Sequence, residues 1–151
     1  MASDAVTLIM NDHRIMEQLF ERLEAAEGDL QVLLDECAAR LTAHSHAEEQ
    51  KVYPVLAELD EQARQDAHHG ADEHHDAERL LHDLQRISPE GPDFFDRLEN
   101  FIATVRRHVE HEETVLLPAL RASLTLERLE EMGAAFQEVR AAELAVAGIR
   151  V

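Results

Sequence analysis

The sequence predicts an all-α protein, an up-down-up-down four-helix bundle with an additional C-terminal helix. Three observations predict it. Apolar residues recur three and four positions apart along nearly the whole chain, and no stretch alternates with the period of two that a half-buried strand requires. Gly and Pro are sparse, at five and four, and densest in the break Ser88-Pro89-Glu90-Gly91-Pro92. The two halves of the chain also carry the same spaced residues.

The elements follow in order. A first helix over about residues 4–26 spaces Leu8, Ile9, Ile15, Met16, Leu19, Phe20 and Leu23 on one side. Ser3 or Asp4 caps its start and Gly28 ends it. A second, over about residues 30–59, carries Leu30, Leu33, Leu34, Cys37, Ala38 and Leu41. Pro54 interrupts it, removing one N–H and kinking the helix. A third begins near Gln62 or Asp66, runs to Ile87, and turns Leu80, Leu81, Leu84 and Ile87 inward. A fourth, over about residues 93–121, has the stripe Phe94, Leu98, Phe101, Ile102 and Val105. A fifth, over about residues 125–147, spaces Leu126, Leu129, Met132, Phe136 and Val139. It either packs along the bundle or joins a homodimer. A length of 151 residues suits one domain, residues 1–151, with its four-helix core at about 4–121.

Composition narrows the function. Lys and Arg number 14 against 32 Asp and Glu, a net charge of −18. Such a surface repels phosphate backbones and anionic lipid, so neither nucleic acid nor membrane is an expected partner. No apolar run approaches the ~18 residues of a spanning helix. The residues Met1-Ala2-Ser3-Asp4 start no basic or apolar export segment, so a cytoplasmic location is expected. Cys37 is the lone cysteine, which excludes a disulfide framework and a multi-cysteine zinc site. No Gly-rich phosphate loop is present. Histidine, at 10, is the unusual count.

The repeat places those histidines. His44-Ser45-His46-Ala47-Glu48-Glu49 leads to Tyr53-Pro54, and His108-Val109-Glu110-His111-Glu112-Glu113 leads to Leu117-Pro118. His44 and His108, Glu48 and Glu112, and Pro54 and Pro118 all stand 64 positions apart. His13 and His74 are followed at equal offsets by Glu17, Leu19, Phe20 and Leu23, and by Glu78, Leu80, Leu81 and Leu84. The chain is therefore a pair of helical hairpins related by a pseudo-twofold axis. His and Glu four apart share one helical face, and here that face continues the apolar stripe. A lone His-x-x-x-Glu on a charged helix is ordinarily a surface pair. Two pairs at equal offset from a proline, with matched histidines on the partner helices, point inward to metal. Two ions fit, each with two histidines, with Glu48 and Glu112 bridging and an oxo or hydroxo group between. Imidazole with carboxylate suits iron, with manganese or a mixed pair possible.

The residues just named resemble those of the hemerythrin-like, or HHE cation-binding, domain family over about residues 5–121. The resemblance implies a bundle with a non-heme diiron centre held by His13, His44, Glu48, His74, His108 and Glu112. It implies handling of O2, nitric oxide or peroxide, or iron storage or sensing. One departure matters. The oxygen carriers of marine invertebrates have a His-x-x-x-His pair on the third helix, but four positions after His74 stands Glu78, and four before it Gly70. Either one iron is less completely ligated, or another group fills in. Simple reversible O2 carriage is not expected. Turnover of an oxidant, iron, redox or gas sensing without turnover, and a purely structural metal stay open as readings.

Glu17, Glu78, Tyr53 and His75 are candidate further ligands. Each has a plainer reading: surface or supporting carboxylates, a buried aromatic beside Pro54, and a histidine turned about 100° from His74. Glu49 and Glu113 are read as solvated groups or as acceptors that fix imidazole tautomers. His46, His68, His69, His82 and His111 are expected to be partly exposed, and Cys37 buried.

Overall fold

The structure is a computed structural model and describes residues 3–149. No strand occurs among them. Helix α1 (Ala5–Glu24) is capped by Asp4, whose Oδ1 accepts from the Thr7 N–H at 3.0 Å. It ends where Ala26 and Gly28 take positive φ, 52° and 70°. Asp29 caps α2 (Leu30–Lys51), and Asp60 caps α4 (Glu61–Arg86). The final helix, α7 (Leu126–Val146), is capped by Thr125.

The two prolines act differently. The helix expected over residues 30–59 breaks at Val52, and a separate turn of helix, α3 (Tyr53–Ala57), carries Pro54 in its first turn. The helix expected over 93–121 stays unbroken but changes pitch. It runs as α5 (Phe94–His111), then five residues of π-helix (Glu112–Leu116), then α6 (Leu117–Ser123). The Leu117 N–H donates to the Glu112 carbonyl, five residues back. Pro118 has no N–H for the carbonyl four residues before it, and the ladder takes up that loss ahead of the proline.

Four long segments, α1, α2, α4 and α5–α6, form the antiparallel bundle. Its interior has two apolar layers. Phe20, Leu23, Leu34, Leu81, Leu84 and Phe101 belong to one. Val6, Ile9, Leu56, Leu116, Leu120 and Phe136 belong to the other. Phe20 and Phe101 meet edge to face at 5.7 Å. His13, His44, His74 and His108 sit on their helices between the residues of these two layers.

The C-terminal helix α7 packs along the bundle, against α1 and α2. Its inner face is Leu129, Met132, Gly133, Phe136, Arg140 and Leu144. Leu126, expected inward, is 60% exposed, because it stands at the first turn before the helix reaches the bundle. The buried apolar face of α7 is thus used within the chain. The close approach depends on Gly133. A Cβ there would collide with the Ser3 carbonyl oxygen and stand 2.9 Å from the Ala5 nitrogen, both backbone atoms. Gly133→Ala is expected to destabilise the protein by about 1–3 kcal/mol, read as a lower urea midpoint at unchanged helicity.

Candidate metal centre

The pseudo-twofold repeat becomes a geometric one. His13 on α1, His44 and Glu48 on α2, His74 on α4, His108 on α5 and Glu112 at the start of the π segment are all buried. Their ligand atoms form two groups that meet the spacing a cation needs. One is Glu48, His74, His108 and Glu112, and the other is His13, His44 and Glu112. The carboxylates link the two. Glu48 Oε1 lies 2.9 Å from His44 Nε2 and 3.1 Å from His74 Nε2. Glu112 Oε1 lies 3.1 Å from His13 Nε2, and its Oε2 lies 3.5 Å from His108 Nε2. The π segment begins at Glu112, so the altered pitch sets where this carboxylate projects.

All four imidazoles turn Nε2 inward because a carboxylate holds each Nδ1–H. His13 Nδ1 donates to Glu113 at 2.6 Å, and His74 Nδ1 to Glu49 at 3.0 Å. His44 Nδ1 donates to Asp12, and His108 Nδ1 to Glu73, both at 2.8 Å. Each donor and acceptor sit on different helices, so these bonds also tie the bundle. Fixing the proton on Nδ1 leaves the Nε2 lone pair free for a cation.

The environment is strongly charged. Burial by itself would lower His108, but the neighbouring Glu112 and Glu73 carboxylates overcome it and raise the imidazole to about 10. Burial is likewise outweighed at His44, where Glu48 and Asp12 hold the ring well above its ordinary value. Glu112 goes the other way: burial opposes its charge, yet His108 and His13 hold it well below the usual carboxylate range.

The sign of the pH dependence follows. A raised His108 contributes stability that is full below about 6.5 and is lost as pH climbs through about 10. A depressed Glu112 contributes stability above 4.5 that is lost as pH falls. Metal-free protein should therefore be most stable between these limits and weaken toward alkaline pH. Cation uptake should run oppositely, releasing protons and tightening as pH rises. Urea midpoints of metal-free and loaded protein across that range check both trends.

Tyr53 is the residue whose place the repeat does not forecast. Its hydroxyl donates to Glu112 Oε2 at 2.5 Å and lies 3.4 Å from His74 Nε2. Its ring stacks on His74, centroids 5.4 Å apart and 10° from parallel. Gly70 makes the room: a Cβ there would stand 2.9 Å from Tyr53 Oη and 3.1 Å from the ring. The tyrosine thus occupies the space beside position 70, on the helix that carries His74. Burial, then the Glu112 and Glu48 charges, hold its phenol well above the ordinary value.

The other candidates stand elsewhere. Glu17 pairs with Arg106 on the surface. Glu78 lies 3.9 Å from half-buried His46. His75 is exposed and reaches only Glu49, at 3.3 Å. His68, His69 and His82 are exposed, and His111 is half-buried. Cys37 is wholly buried, its thiol pushed up to about 12 by burial and then by Glu36, which leaves it unreactive. Three supporting residues escaped the sequence reading: Asp12, Glu73 and Arg140. A signal existed for two of them, since Asp12 precedes His13 as Glu73 precedes His74.

A cleft of about 380 Å³ opens between α1 and α5. His13 and Glu113 stand at its wall, with Met16, Phe20 and Val109 lining it.

Five of the inward atoms have no hydrogen-bond partner: His13 Nε2, His108 Nε2, both Glu48 oxygens and Glu112 Oε1. Buried polar atoms left unpaired cost free energy, and here they converge. Cations held by the two groups would satisfy all of them, so the donor set fits metal. Fold and site together define a class, a helical bundle with a buried histidine–carboxylate group able to hold metal. The chain belongs to the hemerythrin HHE cation-binding domain family, which it matches over residues 4–120. It is 30% identical over 135 residues to a Nostoc protein named DNA nickase, covering 88% of this chain and 38% of that one. It is 24% identical over 136 residues to an uncharacterised hemerythrin-like protein of Schizosaccharomyces pombe, covering 87% and 66%. The chain thus spans less than two thirds of either relative. A crystal structure of a hemerythrin HHE domain protein from Mycobacterium kansasii superposes with a TM-score of 0.78 at 23% identity. That likeness covers 95% of this chain and 91% of that one, and shows the fold. No helix among the described residues is long and apolar enough to cross a membrane.

Proposed function

We propose that this chain is a non-heme diiron protein that binds or reacts with O2, nitric oxide or peroxide inside the bundle. The observation that carries the reading is the convergence of unpaired buried donors between two apolar layers. His13 and His44 would hold one ion, His74 and His108 the other, and Glu48 and Glu112 would be shared. Tyr53 would add an anionic oxygen on the His74 side. Imidazole and carboxylate donors favour iron, and manganese or a mixed pair would accept the same set. Iron, when bound, supplies a redox-active Lewis acid. The chain does the rest. Asp12, Glu49, Glu73 and Glu113 orient the imidazoles, and the apolar layers keep water from the donors. The cleft beside His13, lined by Met16, Phe20 and Val109, offers a largely apolar approach to the site.

The name of the Nostoc relative raises a DNA-directed activity. A net charge of −18 opposes close approach to a phosphodiester backbone, so that activity is not proposed here. A cytoplasmic setting, with Cys37 kept as a free thiol, belongs to the same proposal.

Elemental analysis of protein expressed in iron-replete medium should find two metal ions per chain, mainly iron. One ion per chain, or zinc alone, would refute the reading. Stopped-flow spectroscopy of the reduced, anaerobic protein then separates its branches. Turnover of peroxide marks an enzyme. Tight, reversible nitric oxide binding without turnover marks a sensor. No spectral response to any of the three ligands marks a structural metal and overturns the proposed reactivity.

A further inference from the structure

Three of the four Nδ1 acceptors meet solvent. The side chains of Glu113, Glu49 and Glu73 are 32%, 24% and 22% exposed, whereas that of Asp12 is 8% exposed. Water therefore stabilises three of these charges and not the fourth. Asp12 is compensated from α7 instead. Arg140 Nε donates to Asp12 Oδ2 at 2.8 Å, and its Nη2 lies 2.8 Å from Asp12 Oδ1. Such a two-point guanidinium–carboxylate pair fixes direction as well as charge. The Oδ2 atom that accepts from Arg140 also accepts from His44 Nδ1, at 2.8 Å. One turn earlier on α7, Phe136 meets the His44 ring edge to face, with centroids 5.7 Å apart. Two residues of α7 therefore bear on His44: one through Asp12, the other by direct contact.

We propose that Arg140 is a positioning residue of the metal centre, acting through Asp12 on His44, and that it makes the two cation positions inequivalent. The inference rests on the two-ion reading above. Its physical content is simple. A buried carboxylate stripped of its countercharge becomes costly, and it then turns or draws in water. Either of these releases the His44 Nδ1–H and lets the ring swing or change tautomer. The other three imidazoles do not depend on α7 in this way. The helix beyond residue 120, outside the span of the family match, thereby becomes part of the binding site.

The test is titration of metal-free protein with cobalt(II), reading affinity at each position and the shifted N–H proton resonances of the loaded protein. Wild type should take up two equivalents and show four ring N–H signals. Arg140→Met should weaken one equivalent about tenfold or more and lose one N–H signal, leaving the other position intact. Arg140→Lys keeps the charge but one bond in place of two. It should weaken the same equivalent a few-fold, which keeps the inference testable if the Met variant does not fold. Leu144→Ala loosens α7 without touching the relay, and should lower stability while both affinities hold. Equal weakening of both positions in Arg140→Met would overturn the inference, as would Arg140→Lys titrating like wild type. A Leu144→Ala variant that loses the same single equivalent would show that α7 acts only by packing. Wild type that takes up no cobalt refutes the two-ion reading itself, and this inference with it.

Discussion

Glu112→Ala should empty both cation positions, whereas Glu113→Ala, one residue on, should leave both filled. The two carboxylates differ in where they point. Glu112 is fully buried and reaches His13 Nε2, His108 Nε2 and the Tyr53 hydroxyl, so its loss removes a donor from each half of the centre. Glu113 touches only the outward nitrogen of His13 and is partly solvated. Its loss frees one ring and should weaken one ion by about 10–100-fold, a deficit that excess metal overcomes. The metal-free state separates them further. Glu112 is the countercharge for buried imidazoles, and removing one partner of such a pair costs about 3–5 kcal/mol. Glu113→Ala exposes no unpaired buried charge. Glu48→Ala and Glu49→Ala should repeat the contrast on α2, since Glu48 spans His44 and His74 while Glu49 supports His74 alone. Metal content after dialysis and urea midpoints of stripped protein measure both effects. Equal metal content in Glu112→Ala and Glu113→Ala would sink the bridging assignment.

The contrast was readable from spacing, because facing is what a helical period encodes. Four residues after a histidine is the same face, and the fifth is turned about 100° beyond the fourth. The all-α class was readable for the same reason. The behaviour of the prolines was not. A proline announces a missing N–H but not how the ladder absorbs it, and residues 52 and 112–116 give two answers to the same problem. The support of His44 and His108 was half readable. Asp12 and Glu73 each precede a histidine of the repeat, but a charged residue on a charged helix carries no mark of burial until its partner helix is placed. Arg140 lay further out of reach. An arginine on a helical stripe reads as a solvated break in it, and only Asp12, 128 positions away, makes its burial tolerable. Tyr53 stood among the candidate further ligands, but the repeat argued against it. Its counterpart 64 positions on is Leu117, so symmetry argued for an ordinary apolar residue.

That break in symmetry sets the last expected result. Iron(III)-loaded protein should show a visible phenolate-to-iron charge-transfer band that Tyr53→Phe abolishes while both ions stay bound. The hydroxyl stands between Glu112 Oε2 and His74 Nε2, two atoms of the proposed donor set. In the metal-free protein burial and two carboxylates keep its proton on. A trivalent cation at that point reverses the balance, because the phenolate then neutralises charge where it had added to it. Gly70→Ala gives a graded control. A methyl group 2.9 Å from Tyr53 Oη must push the phenol by a few tenths of an ångström, shifting or weakening the band without removing it. Bound to iron, the same oxygen beside position 70 would add to the case against reversible O2 carriage, a case the sequence rests on the missing histidine near His74. An anionic donor stabilises the ferric state more than a neutral imidazole does. If Tyr53 lowers the barrier to oxidation by about 1.4 kcal/mol, reduced Tyr53→Phe protein should oxidise in air about tenfold more slowly than wild type. A band that survives in Tyr53→Phe would remove tyrosine from the donor set. An unchanged oxidation rate, with the band gone, would mean that the phenol binds iron but does not set its preference for the ferric state.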